Sequence, residues 1–169
     1  MSGFEIERKF LVHKDKDYKS RAYAYSYIKQ GYIAARNATV RVRVRDDRAY
    51  LTIKGPSVDG GLKRYEFEKE ITIEEAQHLF ELCEPGVVEK TRYLVRSGDH
   101  IIEVDEFVGD NEGLVIAEVE LGAPDEPYDR PPFLGEEVTG DHRYTNASLS
   151  KVPYCQWSEK GSEGGVKGE

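Results

Sequence analysis

The sequence predicts an α+β fold: eight antiparallel strands with flanking helices, forming one domain over residues 1–157. Three observations predict it. Segments of period-two alternation recur from Glu5 to Leu121, the pattern of strands with two unlike faces. Tight-turn pairs such as Asp46-Asp47 and Gly98-Asp99 join neighbouring segments as hairpins. One long helix interrupts the series, opened by a capping box of Thr72 and Glu75.

The first strand, Glu5 to Val12, sets Glu5, Glu7 and Lys9 on one face and Ile6, Arg8 and Phe10 on the other. After a charged connection, aromatic alternation places the second strand at about Tyr27 to Ala34. The third, Val40 to Arg45, is the clearest alternation in the chain: three valines on one side, three arginines on the other. Asp46-Asp47 turns it into a fourth, Ala49 to Lys54, where Thr52 and Lys54 share a face. Gly55 to Gly61 is turn chemistry. It does not make a phosphate-binding P-loop, because Gly61 and Leu62 stand where Lys and Ser or Thr are needed. The fifth strand, from Arg64, groups Arg64, Glu66, Glu68 and Glu70 against Tyr65, Phe67 and Ile71.

The helix follows, with Ile73, Ala76, Leu79, Phe80 and Cys83 at helical spacing up to Pro85-Gly86. Strands six and seven, Val87 to Ser97 and His100 to Val108, carry Lys90 and Arg92 on one and Glu103 and Asp105 on the other. Strand eight, Leu114 to Leu121, sets Glu118 and Glu120 opposite Val115, Ala117 and Val119. Residues 125–132 read as a proline-rich loop. Thr139 or Asp141 is placed to cap a short C-terminal helix ending at Pro153, and residues 158–169 as a disordered tail.

Composition bounds the function. At 33% charged and 38% hydrophobic residues, the 169-residue chain is globular but polar, and its net charge of -8 argues against a general nucleic-acid surface. No apolar run is long enough to span a membrane, and the N-terminus lacks a signal-peptide core, so a cytoplasmic protein is expected. Cys83 and Cys155 are too few for a disulfide framework and are read as reduced.

Nearly every strand has an ionisable face of mixed sign. In an ordinary sheet those faces lie outside; alternatively, the valine faces pack beneath helices and the charged faces line the wet interior of a closed barrel. The second arrangement needs a compensating ligand, because crowded buried charges must be paired. A polyphosphate with a divalent cation supplies that compensation: guanidinium and ammonium groups take phosphate oxygens, and carboxylates hold a hard cation. All-oxygen ligands favour Mg²⁺ or Mn²⁺ over zinc.

The stretch Glu5-Ile6-Glu7-Arg8-Lys9 resembles the E-x-E-x-K signature of CYTH proteins, the triphosphate tunnel metalloenzymes. The resemblance continues through Gln30-Gly31-Tyr32, Val40 to Arg43, Thr52-Ile53-Lys54, Arg64 to Glu68, Glu89 to Arg92, Glu103 to Asp105, Glu118-Val119-Glu120 and Gly135 to Tyr144. It implies an eight-stranded antiparallel tunnel, that is, a closed β-barrel. It further implies that Glu5, Glu7, Glu118 and Glu120 hold the metal and that Lys9, Arg41, Arg43, Lys54, Arg92 and Arg143 hold the phosphates. The chain looks most similar to the short bacterial inorganic triphosphatases. On that likeness Tyr32 and Lys54 form a pair that shapes specificity, and Lys90 is a general base or another phosphate clamp. Arg45 extends the usual R-x-R pair.

The expected activity is metal-dependent cleavage of the terminal phosphoanhydride of inorganic triphosphate. Thiamine triphosphatase and class IV adenylate cyclase are rivals on the same fold, and a non-catalytic polyphosphate-binding module is a rival of another class. The expected partner is a small-molecule polyphosphate, with no nucleic acid and no membrane. A homodimer is compatible with this reading.

Overall fold

A computed structural model describes residues 2–157 of the chain; the tail expected at 158–169 lies outside the described residues. Its strands, in order, are β1 (Ser2–Val12), β2 (Ala22–Ile33), β3 (Thr39–Arg45), β4 (Arg48–Lys54), β5 (Lys63–Ile71), β6 (Val88–Ser97), β7 (His100–Phe107), β8 (Val115–Glu120) and β9 (Leu134–Glu137). Helix α1 (Ile73–Phe80) follows β5, and α2 (Asn146–Lys151) follows β9. All pairings are antiparallel in the order β5-β4-β3-β2-β6-β7-β8-β1, and a further β5–β1 ladder closes the eight strands into a barrel.

Strand β1 makes the closure. It pairs with β8 over Glu7 to Leu11 and with β5 over Ser2 to Ile6, and β9 then takes up Phe10 and Val12. Closure removes the exposed edges that an open sheet would present. Strand β9 was not foreseen, because four residues, Leu-Gly-Glu-Glu, are too short to show alternation. Strand β2 begins five residues earlier than expected, since Tyr23, Tyr25 and Tyr27 alternate outward along it.

The period-two faces are sorted as the barrel alternative requires. Val42 and Ala49 are fully buried outside the barrel under Ala76 of α1, with Val44, Leu51, Leu79, Phe80 and Cys83 around them. Gly31 makes room there: a Cβ on it would lie 3.0 Å from the Cys83 sulfur. The helix ends at Phe80, yet Cys83 still packs on the sheet through the following turn.

The outer face of β1, β6, β7 and β8 is covered by loops instead of a helix. Tyr18 from the β1–β2 connection and Phe133 from the segment before β9 pack onto Phe10, Val95, Val104, Ala117 and Val119. Sealing large side chains such as Phe10 and Phe133 contributes about 1.5–3 kcal/mol each.

A third cluster lies inside the barrel. Val88, Phe107 and Ile116 point inward and meet Val138, Tyr144 and Leu149, with Leu11, Tyr154 and Trp157 at the margin. Helix α2 and its approach thus plug one end of the tunnel. The caps differ from expectation: Asp141 caps the 3₁₀ turn His142–Tyr144, and Thr145 caps α2 by accepting from the Ser148 amide. Both cysteines are outside any disulfide, and Cys155 is exposed.

Candidate active site

The charged faces of seven strands enclose a cavity of about 1010 Å³ that runs along the barrel interior to the plug. Alternation decides its chemistry: Glu5, Glu7 and Lys9 from β1, Arg41 and Arg43 from β3, Lys54 from β4, Arg64, Glu66 and Glu68 from β5, Arg92 from β6, Glu103 from β7 and Glu118 and Glu120 from β8 all line it. The register supplies the neighbours, with Glu7 opposite Glu120, Lys9 opposite Glu118 and Glu5 opposite Arg64.

The acidic wall is formed by β1 and β8. Glu5 is buried with Oε1 2.9 Å from Lys54 Nζ. Burial pushes its carboxyl up, but a hydrogen bond with Glu7 and the Lys54 and Arg64 charges outweigh it and bring the pKa to about 2. Glu7 goes the other way: burial, then the nearby Glu118 charge and the hydrogen bond with Glu5, hold it well above the usual carboxylate range. Lys9 lies 3.4 Å from Glu118 and donates to the Tyr144 carbonyl at 3.3 Å. Burial opposes its charge, yet Glu118 and Glu7 keep its pKa raised.

On the basic wall, Arg41 donates to Thr52 Oγ1 at 3.1 Å and stands 3.7 Å from Glu68. Its Nε is buried without a hydrogen-bond partner. Arg43 Nε donates to Gln30 Oε1, and Gln30 Nε2 to the Tyr32 hydroxyl, both at 2.9 Å. Burial first, then the Arg41 and Arg92 charges, lower the Arg43 pKa to about 9. A cation that resists its own charge is matched to an anion arriving in the cavity.

Arg92 forks onto Asp105, with Nε at 2.7 Å and Nη2 at 2.9 Å, and stands 3.2 Å from Glu103. Lys90 meets the same Asp105 at 2.7 Å and donates to Asn146 Oδ1 at 3.1 Å. The Lys90 side chain is wholly enclosed and does not line the cavity. Burial, against Asp105 but with Arg92 and Arg43, lowers its pKa to about 7. Lys90 therefore stands behind the wall, with the polar end of Asn146 between it and the tunnel.

Arg143 is the other displaced residue. It is exposed, forks onto its neighbour Asp141 and lies against the Tyr144 and Trp157 rings, away from the cavity lining. The Asp141 cap holds it at the outside of the plug. Arg45 does line the cavity, with a hydrogen bond to the Tyr50 hydroxyl at 2.9 Å.

Gln30, Thr52, Asp105 and Asn146 hold this arrangement and received no role from the sequence. Gln30 and Thr52 sit at inward positions of alternating strands, the one signal that could have found them. Asn146 belongs to a helix in a segment with no strand pattern.

Whether the acids suit a divalent cation is answered by their chemistry. Among the described residues, no three acidic or histidine side chains stand close enough to cage a metal as they are disposed. Glu5 is drawn toward Lys54 and Glu118 toward Lys9. The donor set nevertheless fits a hard cation: four carboxylates line one stretch of cavity, and burial first, then neighbouring carboxylate charges, raise the pKa of Glu7 and of Glu120.

A family model for the CYTH domain matches residues 3–154. An inorganic triphosphatase of Acetivibrio thermocellus is 48% identical over 93% of this chain and 99% of its own length. One of Nitrosomonas europaea is 36% identical, covering 86% of this chain and 96% of its own. A crystal structure described as an inorganic triphosphatase superposes with a TM-score of 0.61 at 32% identity, covering 86% of this chain and 93% of that one.

Proposed function

This chain belongs to the CYTH domain family, and on that premise we propose that it hydrolyses the terminal phosphoanhydride of inorganic triphosphate in the charged cavity. One observation carries the reading. The tunnel sets an arginine wall with an unsatisfied buried donor, Arg41 Nε, opposite a carboxylate wall whose members repel one another. A polyanion with a divalent cation answers both needs at once.

Arg41, Arg43, Lys54 and Arg92 would bind phosphate oxygens, with Lys9 beside them, and Tyr32 would donate a hydrogen bond from the same wall. Glu5, Glu7, Glu118 and Glu120 would hold Mg²⁺ or Mn²⁺, which supplies neutralisation of the phosphate charge and a more acidic water. The arginines then stabilise the charge that builds on the transferred phosphoryl group as water attacks in line. The apolar plug of Phe107, Ile116 and Leu149 closes one end of the cavity. Lys90 supports this site by fixing Asp105 and Asn146; it has no surface from which to reach a water in the cavity. The exposed Arg143 is left out of the clamp.

Inorganic triphosphate is favoured over ATP or thiamine triphosphate because most of the lining side chains are charged or polar, with Tyr32, His142 and the exposed Phe4 as the aromatic ones. Among the described residues no helix is long and apolar enough to cross a membrane. Phosphate release from triphosphate, ATP, thiamine triphosphate and longer polyphosphates, each with Mg²⁺ or Mn²⁺, tests the assignment. Triphosphate should be turned over best. Conversion of ATP to cyclic AMP with little phosphate release would overturn it in favour of a cyclase.

A further inference from the structure

Gln30 takes no part in the reading above, yet with Thr52 it is one of the wall's fully enclosed polar residues, with no accessible surface. It lies on β2 between β3 and β6, and its amide bridges two residues of the cavity. Oε1 accepts from Arg43 Nε and Nε2 donates to the Tyr32 hydroxyl. The direction of this relay is forced. A guanidinium only donates, so the amide oxygen must face Arg43 and the amide nitrogen must face Tyr32.

The phenol oxygen therefore accepts from Gln30, and its single proton is turned away from that bond. No hydrogen bond donated by the Tyr32 hydroxyl to another described residue is present. Tyr32 lines the cavity, and Arg41 stands opposite it on β3. Burial, against the Arg41 and Arg43 charges, raises the pKa of the phenol, so the proton stays on at neutral pH.

We propose that Gln30 is a positioning residue that sets the polarity of the site: it commits the Tyr32 hydroxyl to donate into the cavity, to an anionic oxygen of bound triphosphate. The same amide holds Arg43 by its Nε, leaving the two terminal nitrogens for the ligand. A freely turning hydroxyl would present a lone pair to the phosphate as readily as a proton. The relay removes that choice before the substrate arrives, which is preorganisation in its simplest form. The inference rests on the triphosphatase reading for its ligand, but its geometry stands on Arg43, Gln30 and Tyr32 alone.

The test is a double-mutant cycle on triphosphate hydrolysis. Gln30→Glu keeps the shape and still accepts from Arg43, but its carboxylate captures the Tyr32 proton instead of donating. Its kcat/KM is expected to fall about tenfold or more, the scale of a lost hydrogen bond to a charged group, mostly in kcat. In a Tyr32→Phe background the same change should cost less than about threefold, because the hydroxyl it acts through is gone. Gln30→Met, which removes both bonds without adding charge, should show the same coupling to Tyr32→Phe. An equal cost of both Gln30 changes in the two backgrounds would overturn the proposal.

A wild-type protein that turns over no triphosphate would defeat the functional reading instead, and the two failures are thereby distinct. Should the Gln30 variants not fold, the Raman tyrosine doublet reports directly whether a phenol donates or accepts. Taken as the difference between wild type and Tyr32→Phe, it should gain donor character when tripolyphosphate is added without metal. A doublet unchanged at saturating tripolyphosphate would contradict the assignment.

Discussion

The inner wall of the barrel is made of two materials. Toward the plug, Leu11, Val88, Phe107 and Ile116 point inward and are closed over by Tyr144 and Leu149. Two residues along the same strands stand Lys9, Lys90, Asp105 and Glu118. One stretch is a dry core that happens to lie inside a barrel, and the other is a layer of buried charges paired with one another, Lys9 with Glu118 and Lys90 with Asp105. The difference teaches how a wet tunnel can be stable: its charged floor rests on a conventional hydrophobic layer, and Lys90 with Asp105 forms the seam between them.

The sharpest way to break the comparison is at the seam. Asp105→Ala leaves Lys90 and the Arg92 fork facing an emptied buried site, and is expected to cost about 3–5 kcal/mol of stability. Leu149→Ala, in the dry layer, should cost about 2–5 kcal/mol through the cavity it opens. Thermal or urea unfolding measures both. If Asp105→Ala melts like wild type, the charged seam is not structural.

Lys90 sharpens the same contrast. A general base contributes about 10²–10⁴ in rate, whereas a residue behind the wall contributes through its neighbours. Lys90→Met is therefore expected to keep turnover within about tenfold of wild type; a loss beyond about a hundredfold would restore the base assignment. The pH dependence has a definite sign. Burial holds the folded pKa near 7 against a reference of 10.5, so between these values the unfolded chain binds more protons. Stability of wild type relative to Lys90→Met should rise with pH across that window, and denaturant midpoints at pH 7 and pH 10 check it.

These contrasts also mark how far the sequence could be read. The eight barrel strands were legible because each alternates, and Val40 to Arg45 showed most plainly that one face must differ from the other. Which face was inside was not legible from period two alone, since Val42 under α1 and Val88 in the plug obey the same alternation on opposite sides. The plug was hidden for another reason: Tyr144, Leu149 and Trp157 are too widely spaced in a polar segment to announce a core. Arg143 and Lys90 show the limit of a motif. Both have the residue type that the resemblance asks for, but one forks onto Asp141 outside the plug and the other is sealed by Asp105, Phe107 and Asn146. Neither displacement is visible without the fold.

A metal-dependent effect is expected on the acidic wall, where amides keep the shape of the carboxylates but not the charge. Glu118→Gln or Glu120→Gln should slow triphosphate hydrolysis at limiting metal by at least about tenfold, and excess metal should restore part of the rate. Wild-type rates in both variants at limiting metal would show that these carboxylates are not its ligands.

The central claim is that the charged stretch of the tunnel, and no other surface, performs the reaction. Its most direct test is phosphate release from tripolyphosphate with Mg²⁺ or Mn²⁺, measured side by side for wild type and for the Arg41→Ala, Arg43→Ala pair. Wild type should release phosphate steadily and the paired variant should lose at least about a hundredfold in kcat/KM, with its fold intact by circular dichroism. Equal rates in the two proteins would contradict the account.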